Sequence, residues 1–517
     1  MDKQYSQLMH TSFSKLVSTA KLRALAQHPV DLTEKNLLTP DRMDQYKAEG
    51  ASWKLFYGAQ RINKQVMEAL FELAQECRVF QQYEQMRRGE VINSSEKRPV
   101  LHTAVRDFFE NPVPETKEQR ARAYQECEKL KLFLDSIEGK YTDLVVIGIG
   151  GSNLGPEALY QSLSNHYLPN RRVHFISNID PDEFTVFSRL DLAQTLVVVI
   201  SKSGSTLETQ TNEAFARDKF KKAGLNPISH FIGITTEGSV MDKPEIYLEM
   251  FYVWEYIGGR FCGTAMPGGI IVGFACGYAV YWEILRGAHA MDGVAALQDS
   301  AQNLPLLLAL LGIWNRNFLK LPCYAVISYA HALRRFAAHV QQLDMESNGK
   351  HVDKNGKFID FDSSPIVFGE PGTNAQHSFF QMLHQGTTIV PIEFIGCKNS
   401  QFGQDYTFQG SSSQQKLLSS LLGQVMALAR GKTDENPNKQ FRGNRPSSML
   451  LTEQLTPFSA GALYALYEHK MAFQGFIWQI NSFDQEGVSL GKKLANEVLV
   501  GFNHPDEQSM AGWFLKQ

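Results

Sequence analysis

The hydrophobic pattern along the chain changes its period near residue 143. Upstream, apolar residues recur at helical spacing, as Met67, Leu70, Phe71 and Ala74 do at i, i+3, i+4 and i+7. Residues 1–122 are therefore expected to form an N-terminal helical segment packing on the second of two later domains. From Asp143 onward, short unbroken apolar runs alternate with longer helical patterns. Strands are expected at 144–149, 173–176, 196–200 and about 230–234, with helices between them continuing to about 287. The run 196–200 lacks the alternation of a strand with one wet face, so it reads as buried on both faces of a parallel sheet. A second unit of the same kind starts after Asp292, with a helix at 306–318, a strand at 324–328 and a long helix at 330–348. A strand at 389–395 and a helix at 417–429 follow, then tail helices at 463–479 and 485–498. The expected fold is α/β: two doubly wound parallel-sheet domains, αβα sandwiches at 123–290 and 291–517, with an N-terminal helical segment and a C-terminal helical tail.

Composition narrows this picture without redirecting it. At 517 residues, with 43% hydrophobic and 20% charged residues, the chain can bury two or three sizeable cores. Its formal net charge of −3 gives no electrostatic reason to expect nucleic acid or an acidic membrane as partner. The most apolar stretch, 270–282, is interrupted by Gly273 and Gly277 and is short for a membrane span, so a buried helix is expected. The six cysteines are scattered without a CxxC pair and read as free thiols of a reducing compartment. The first ten residues lack the apolar core of a secretory signal, and a cytoplasmic protein is expected.

The chemistry concentrates after the run at 196–200. The chain there turns to Ser201, Lys202, Ser203, Gly204, Ser205 and Thr206, and Ser205-Thr206-Leu207-Glu208 fits a capping box opening a helix. Strand, hydroxyl-rich loop and helix N-terminus together aim amides, hydroxyls and one ammonium at a common spot, which suits a phosphate. A helix cap needs one hydroxyl, and this loop offers four. The segment Gly148-Ile149-Gly150-Gly151-Ser152 also follows a strand, but the third glycine of a dinucleotide fingerprint would fall at 153, which is Asn. Both loops are expected at the same C-terminal sheet edge. Ser152 would add to the anion site there, while Gly150 and Gly151 let a sugar approach.

Other residues stand out singly. Arg260 follows the Gly258-Gly259 turn and would supply a permanent cation, although most arginines are simply solvated. Gln342 and Glu346, four apart, share a helical face. Glu346 falls in the last turn before Gly349, a natural C-cap, at a place suited to a general base. His377 and His384 are seven apart, and no carboxylate or Cys completes a metal set at usual spacing. Gln485 and Lys492, also seven apart, are expected on one face of the last helix.

Taken together, these motifs resemble the phosphoglucose isomerase family. The similarity lies in GIGGS at 148–152, the SK-hydroxyl-rich-ET loop at 201–209, GGR at 258–260 and MESNGK at 345–350. It continues in GTNxQHSFxQxLHQG at 372–386, YEHK at 467–470 and INSFDQxGVxLGK at 480–492, and upstream in GExIN at 89–93 and LHTAxR at 101–106. The resemblance implies sugar isomerase type domains. It also implies reversible conversion of glucose 6-phosphate and fructose 6-phosphate, in glycolysis and gluconeogenesis, through a cis-enediol. Glu346 matches the family's base between C2 and C1, Arg260 its enediolate-stabilising cation, and His377 with Lys492 its ring-opening pair. Ser201, Lys202, Ser203, Thr206, Thr209, Ser152 and Gln342 match phosphate-side positions, Gly151 lies beside them, and Gln485 lies close to the substrate. No cofactor and no metal are implied. The family histidine comes from the neighbouring subunit, which implies a homodimer with shared active sites. Two positions depart from the family pattern. Gly204 replaces a bulky aromatic, which predicts a more flexible loop, and Cys262 stands where serine is usual. A sugar-phosphate-binding regulator without chemistry is the competing reading; it would need the 201–206 loop but not Glu346, Arg260, His377 and Lys492 together. Side activity on mannose 6-phosphate is compatible with the same residues.

Overall fold

In the computed structural model of the chain, residues 11–503, 509–515 and 517 are described. The reading of the first ten residues as lacking a signal lies outside them. The chain divides into one unit ending at Ser482 and a second, Phe483–Gln517.

In the first unit the strands, in chain order, are β1 (Lys47–Gly50), β2 (Trp53–Phe56), β3 (Asp143–Ile147), β4 (Arg172–Ile176), β5 (Thr195–Ile200), β6 (Phe231–Thr235) and β7 (Glu249–Tyr252). There follow β8 (Cys323–Tyr329), β9 (Ile366–Phe368), β10 (Ile392–Asn399), β11 (Thr407–Phe408), β12 (Ser411–Ser412) and β13 (Ser447–Gln454). One sheet is five-stranded and wholly parallel, in the order β4-β3-β5-β6-β7. Every residue of β3, β5 and β6 is buried, as unbroken aliphatic runs require when helices cover both faces. The other sheet has the order β1-β2-β13-β10-β8-β9. Its β13, β10, β8 and β9 are parallel, and β1 and β2 add an antiparallel hairpin to the β13 edge. β11 and β12 form a separate two-stranded ribbon.

The hairpin adds strand to the mainly helical N-terminal segment and an antiparallel edge to the otherwise parallel second sheet, neither of which was expected. Its two strands are four residues each, too short to show a period against the surrounding helices. Strand β7 was not expected either, nor were β9 and β13. The helix expected at 330–348 is broken. A 3-10 turn at His331–Leu333 leads to the helix Phe336–Gln341, which passes into a π-helical segment, Gln342–Glu346. The apolar stretch at 270–282 is two helices, Met266–Cys276 and Tyr278–Ala295, parted at Gly277, whose φ is 92°. The first of these is buried on all sides, as is nearly all of Pro457–Trp478, which packs against Tyr278–Ala295 and Leu304–Ile313. Met266–Cys276, apolar all round, has no solvent face to offer and becomes part of a core. Among the described residues no helix is long and apolar enough to cross a membrane.

The second unit contains a 3-10 turn, Glu486–Val488, then helices Ser489–Asn503 and Met510–Leu515. Gln485 precedes that turn in non-helical conformation, with φ −150° and ψ 43°. The expectation that Gln485 and Lys492 share a face of one helix is therefore corrected, since a change of helix type separates them.

Candidate active site

In the five-stranded sheet the chain runs from β3 outward to β4, then crosses back to β5 on the other side of β3. A crevice opens outside the strand ends at such a reversal, and ligands of open α/β sheets bind there. The loops that follow β3 and β5 are the two that the sequence singles out.

After β5, Ser201 is buried and donates its hydroxyl to Thr206 Oγ1 at 3.3 Å. Ser203 Oγ accepts from the Ser205 N–H at 3.2 Å and from its hydroxyl at 3.0 Å. Ser205 is thus turned away from the helix, and the expected capping box does not form. The helix Leu207–Lys222 instead begins after Thr206 with no side-chain cap bond. Its first amides are left without a side-chain acceptor, the condition under which a helix N-terminus attracts an anion. Thr209, on the first turn, buries Oγ1 without a hydrogen-bond partner among the described residues. Gly204 corrects the expectation of a looser loop. Its φ is 67°, a Cβ would lie 2.7 Å from Met241 N, and its carbonyl accepts from Gln210 Nε2 at 2.9 Å. Only glycine fits that turn, and the turn is held.

Lys202 is committed to the segment that leaves β7, two strands along the sheet. Its ammonium donates to the carbonyls of Glu255 and Ile257 at 2.9 and 2.8 Å and lies 3.4 Å from the Glu255 carboxylate. Loss of water around it, with Arg98 adding like charge, lowers its pKa from the ordinary lysine value. Glu255 also accepts from Arg98, which pairs with Glu96. The lysine therefore fastens the hydroxyl loop to the segment that runs straight into Gly258-Gly259-Arg260.

The loop after β3 meets the same segment. A Cβ on Gly151 would fall 2.2 Å from the Gly259 carbonyl carbon and 2.7 Å from Arg260 N, so only glycine permits the approach. Ser152 ends the 3-10 turn Gly150–Ser152, half-buried. A Cβ on Gly150 would lie 3.5 Å from Gln342 Nε2, and Gln342 Oε1 is buried without a partner among the described residues. Gln342 starts the π-helical segment and Glu346 ends it. Such segments widen a helix by one residue per turn and recur at functional sites.

Arg260 is the fixed point of the site. Its side chain is 1% exposed, with Nε donating to Ser347 Oγ and Nη2 to the Ser482 carbonyl. A guanidinium buried so deeply needs such acceptors to offset its lost hydration. Its Nη1 lies 4.0 Å from Glu346 Oε2, and that carboxylate is 25% exposed and so open to a ligand. Asn348 braces the clamp, accepting from Ser482 Oγ at 2.6 Å and donating to the Met471 carbonyl at 3.1 Å. Gly349 is the first residue past the helix, as expected of a C-cap, and its N–H donates to the Met345 carbonyl at 2.9 Å, but it does not take the left-handed backbone usual for a capping glycine. A Cβ there would strike the Met345 carbonyl oxygen at 2.4 Å. Cys262 donates its thiol to the Gly258 carbonyl at 3.5 Å, and burial pushes its pKa up to about 12. The thiol is placed as a hydrogen-bond donor, not as a nucleophile.

His377 ends a 3-10 turn, Asn374–His377, whose Gln376 donates to the Tyr329 hydroxyl at 2.6 Å at the end of β8. Its imidazole is exposed and makes no hydrogen bond or ion pair among the described residues. His384 is bonded to Gln424 at 2.7 Å and is part of the fold. Within the first unit the structure thus brings together Gly151, Ser152, Ser201, Lys202, Ser203, Thr206, Thr209, Arg260, Gln342 and Glu346 around adjoining loops, and among the described residues no hydrogen bond or ion pair ties His377 to them. Sequence reasoning assigned no role to Ser347, Asn348 or Ser482, although all three lie inside motifs that it quoted.

The sequence model of phosphoglucose isomerase matches residues 56–511. The glucose-6-phosphate isomerase of Protochlamydia amoebophila is 51% identical over 513 residues, spanning 97% of this chain and 95% of its own. That of Chlamydia pneumoniae is 49% identical over 490 residues, with 93% of each chain covered. The crystal structure of a glucose-6-phosphate isomerase from Chlamydia trachomatis superposes with a TM-score of 0.94 at 46% identity, over 98% of this chain and 99% of that one. The chain belongs to the phosphoglucose isomerase family.

Proposed function

We propose how this member of the family interconverts glucose 6-phosphate and fructose 6-phosphate. The phosphate is held at the hydroxyl loop by Ser201, Ser203, Thr206 and Thr209 and the free amides of the helix behind them, with Ser152 and Gln342 on the other rim. That grip, remote from the reacting carbons, orients C1 and C2 at Glu346. Glu346 removes the proton from C2 of the aldose and returns it to C1, passing through a cis-enediol whose developing oxyanion faces Arg260. A cation fixed in advance and shielded from water costs no reorganisation as that charge appears. His377 and Lys492 open the sugar ring beforehand, and Gln485 contacts the substrate. The observation that carries the reading is the pairing of a buried, clamped Arg260 with a reachable carboxylate 4.0 Å away, beside a phosphate-type loop.

The acting form is a homodimer in the cytoplasm, each site taking His377 from the partner chain. The exposure of His377 and its lack of a hydrogen bond or ion pair among the described residues support that arrangement. The first experiment is conversion of fructose 6-phosphate by wild type and Glu346→Gln. Removing a general base should cost about 10²–10⁴-fold in kcat, with binding of inorganic phosphate retained. A variant as active as wild type would exclude Glu346 as the base. A wild type that binds phosphate and turns nothing over would favour the regulator.

A further inference from the structure

Between Gln342 and Glu346 lies a second carboxylate that the mechanism does not use. Asp344 is wholly buried in the π-helical segment. It accepts from the Tyr324 hydroxyl at 2.9 Å through Oδ2 and from the Ser364 hydroxyl at 2.9 Å through Oδ1. Tyr324 stands on β8, inside the second sheet, so its hydroxyl is a fixed point. Its ring is capped at 4.1 Å by the Lys470 ammonium, itself paired with Glu393 of β10. Further stitches run the same way. Ser364 N donates to the Asn348 carbonyl at 3.2 Å, and Gln341 Nε2 to the Val367 carbonyl at 3.1 Å.

A π-helical segment is a poor structure to leave unsupported, because its wider turn is less favoured than the α-helix on either side. Relaxation to α-helix shifts the register by one residue, which turns the following side chains by about 100° around the axis. A shift of that size takes Glu346 out of line with Arg260. We propose that Asp344 is a positioning residue for the isomerisation: its hydrogen bonds to Tyr324 and Ser364 hold the π-helical register that presents Glu346 to the substrate. The inference rests on Glu346 being the base. Asp344 touches no reacting atom. It acts through the backbone that it pins.

The test compares Tyr324→Phe, Asp344→Ala, Asp344→Asn and, as reference, Glu346→Gln. For each, kcat and KM for fructose 6-phosphate, inhibition by inorganic phosphate and thermal unfolding are measured on the dimeric fraction. Misplacement of a reacting group by about 1 Å costs up to ~10²-fold. Asp344→Ala should accordingly lose about 10–100-fold in kcat, and Tyr324→Phe less. KM and the phosphate inhibition constant should stay near wild type, since the hydroxyl loop is untouched. Asp344→Asn, which keeps a carbonyl acceptor and the side-chain shape, should recover most of the rate. A folded Asp344→Ala with wild-type kcat overturns the proposal, and so does an Asn variant no better than Ala. If Asp344→Ala does not fold, an unchanged kcat in Tyr324→Phe overturns it alone. Full activity in Glu346→Gln removes the base reading and this inference with it. A dead Glu346→Gln beside unaffected Asp344 and Tyr324 variants removes only the inference.

Discussion

A methyl group on Gly151 would sit 2.2 Å from the Gly259 carbonyl carbon and 2.4 Å from its oxygen. Backbone lies on both sides of that contact, so no side chain can swing away to relieve it. Gly151→Ala must therefore push apart the loop that follows β3 and the segment that positions Arg260. Overpacking of this kind costs about 1–3 kcal/mol of stability, and the displaced guanidinium should cost activity as well. The expected result is a folded protein with kcat/KM lowered by about 10²-fold, read by steady-state kinetics beside a melting curve. A variant within twofold of wild type would mean that the two loops do not need this approach. At the residue scale the sequence was informative about chemistry and silent about support. Arg260 and Glu346 stood out through the motifs around them. The Arg260 clamp did not, because Ser347 and Ser482 come from segments distant in sequence, and no local pattern brings them to one guanidinium. Gly204 shows the opposite failure. Glycine read as looseness, whereas its φ of 67° and the neighbouring Met241 amide make it a requirement of a fixed turn.

At the scale of elements, strands buried on both faces were legible because continuous aliphatic runs of strand length have few other uses. Short or edge strands such as β1, β2, β7 and β9 were not, since they carry too few residues to show a period. The helix Pro457–Trp478 illustrates what pattern alone misses. Its centre carries Tyr467, Glu468, His469 and Lys470, four successive polar side chains, all buried. Tyr467 and Lys470 bond Glu393 of β10, Glu468 bonds Arg106, and His469 bonds Asp292 on the helix Tyr278–Ala295. Arg106 holds Asp292 with two further bonds at 2.9 and 2.7 Å. Burial raises Glu468 from 4.5 to about 7, with Arg106 opposing the rise, whereas Arg106 and His469 keep Asp292 well below the usual carboxylate range. A carboxyl whose folded pKa is raised contributes stability in full below its unfolded value and loses it as pH rises through the folded one. For Glu468 that window runs from about pH 4.5 to about 7, and the shift is worth on the order of 3 kcal/mol. Burial lowers His469, which works in the opposite sense below its ordinary range, so wild type alone gives a mixed profile. The difference between wild type and Glu468→Gln isolates the group. The variant should gain on wild type as pH rises from about 5 to about 8 in urea unfolding. A constant difference would place Glu468 outside that titration.

For the whole molecule, the hairpin β1–β2 joins the sheet of β13, β10, β8 and β9, a connection that the helical pattern of residues 1–122 did not announce. Both sheets place the chain reversal between adjacent strands, β3 with β5 and β8 with β10; the alternation of runs in the sequence announced parallel α/β sheets but not their strand order. The assembly did not follow from it. Apolar periodicity records which faces are buried, not whether a second copy of the chain supplies a residue. His377 is where this matters, because its imidazole is exposed while Glu346 sits beside Arg260. If each site takes Glu346 from one chain and His377 from the other, two inactive variants complement each other. A dimer of one Glu346→Gln chain and one His377→Ala chain contains one doubly damaged site and one intact site. The mixed dimer, co-expressed with two different affinity tags and purified through both, should then isomerise fructose 6-phosphate while either variant alone does not. Its kcat per intact site should match wild type, since loss of an acid–base group costs about 10²–10⁴-fold only where the group is missing. If His377 serves its own chain, both sites of the mixed dimer carry a defect, and it stays as inactive as its parents.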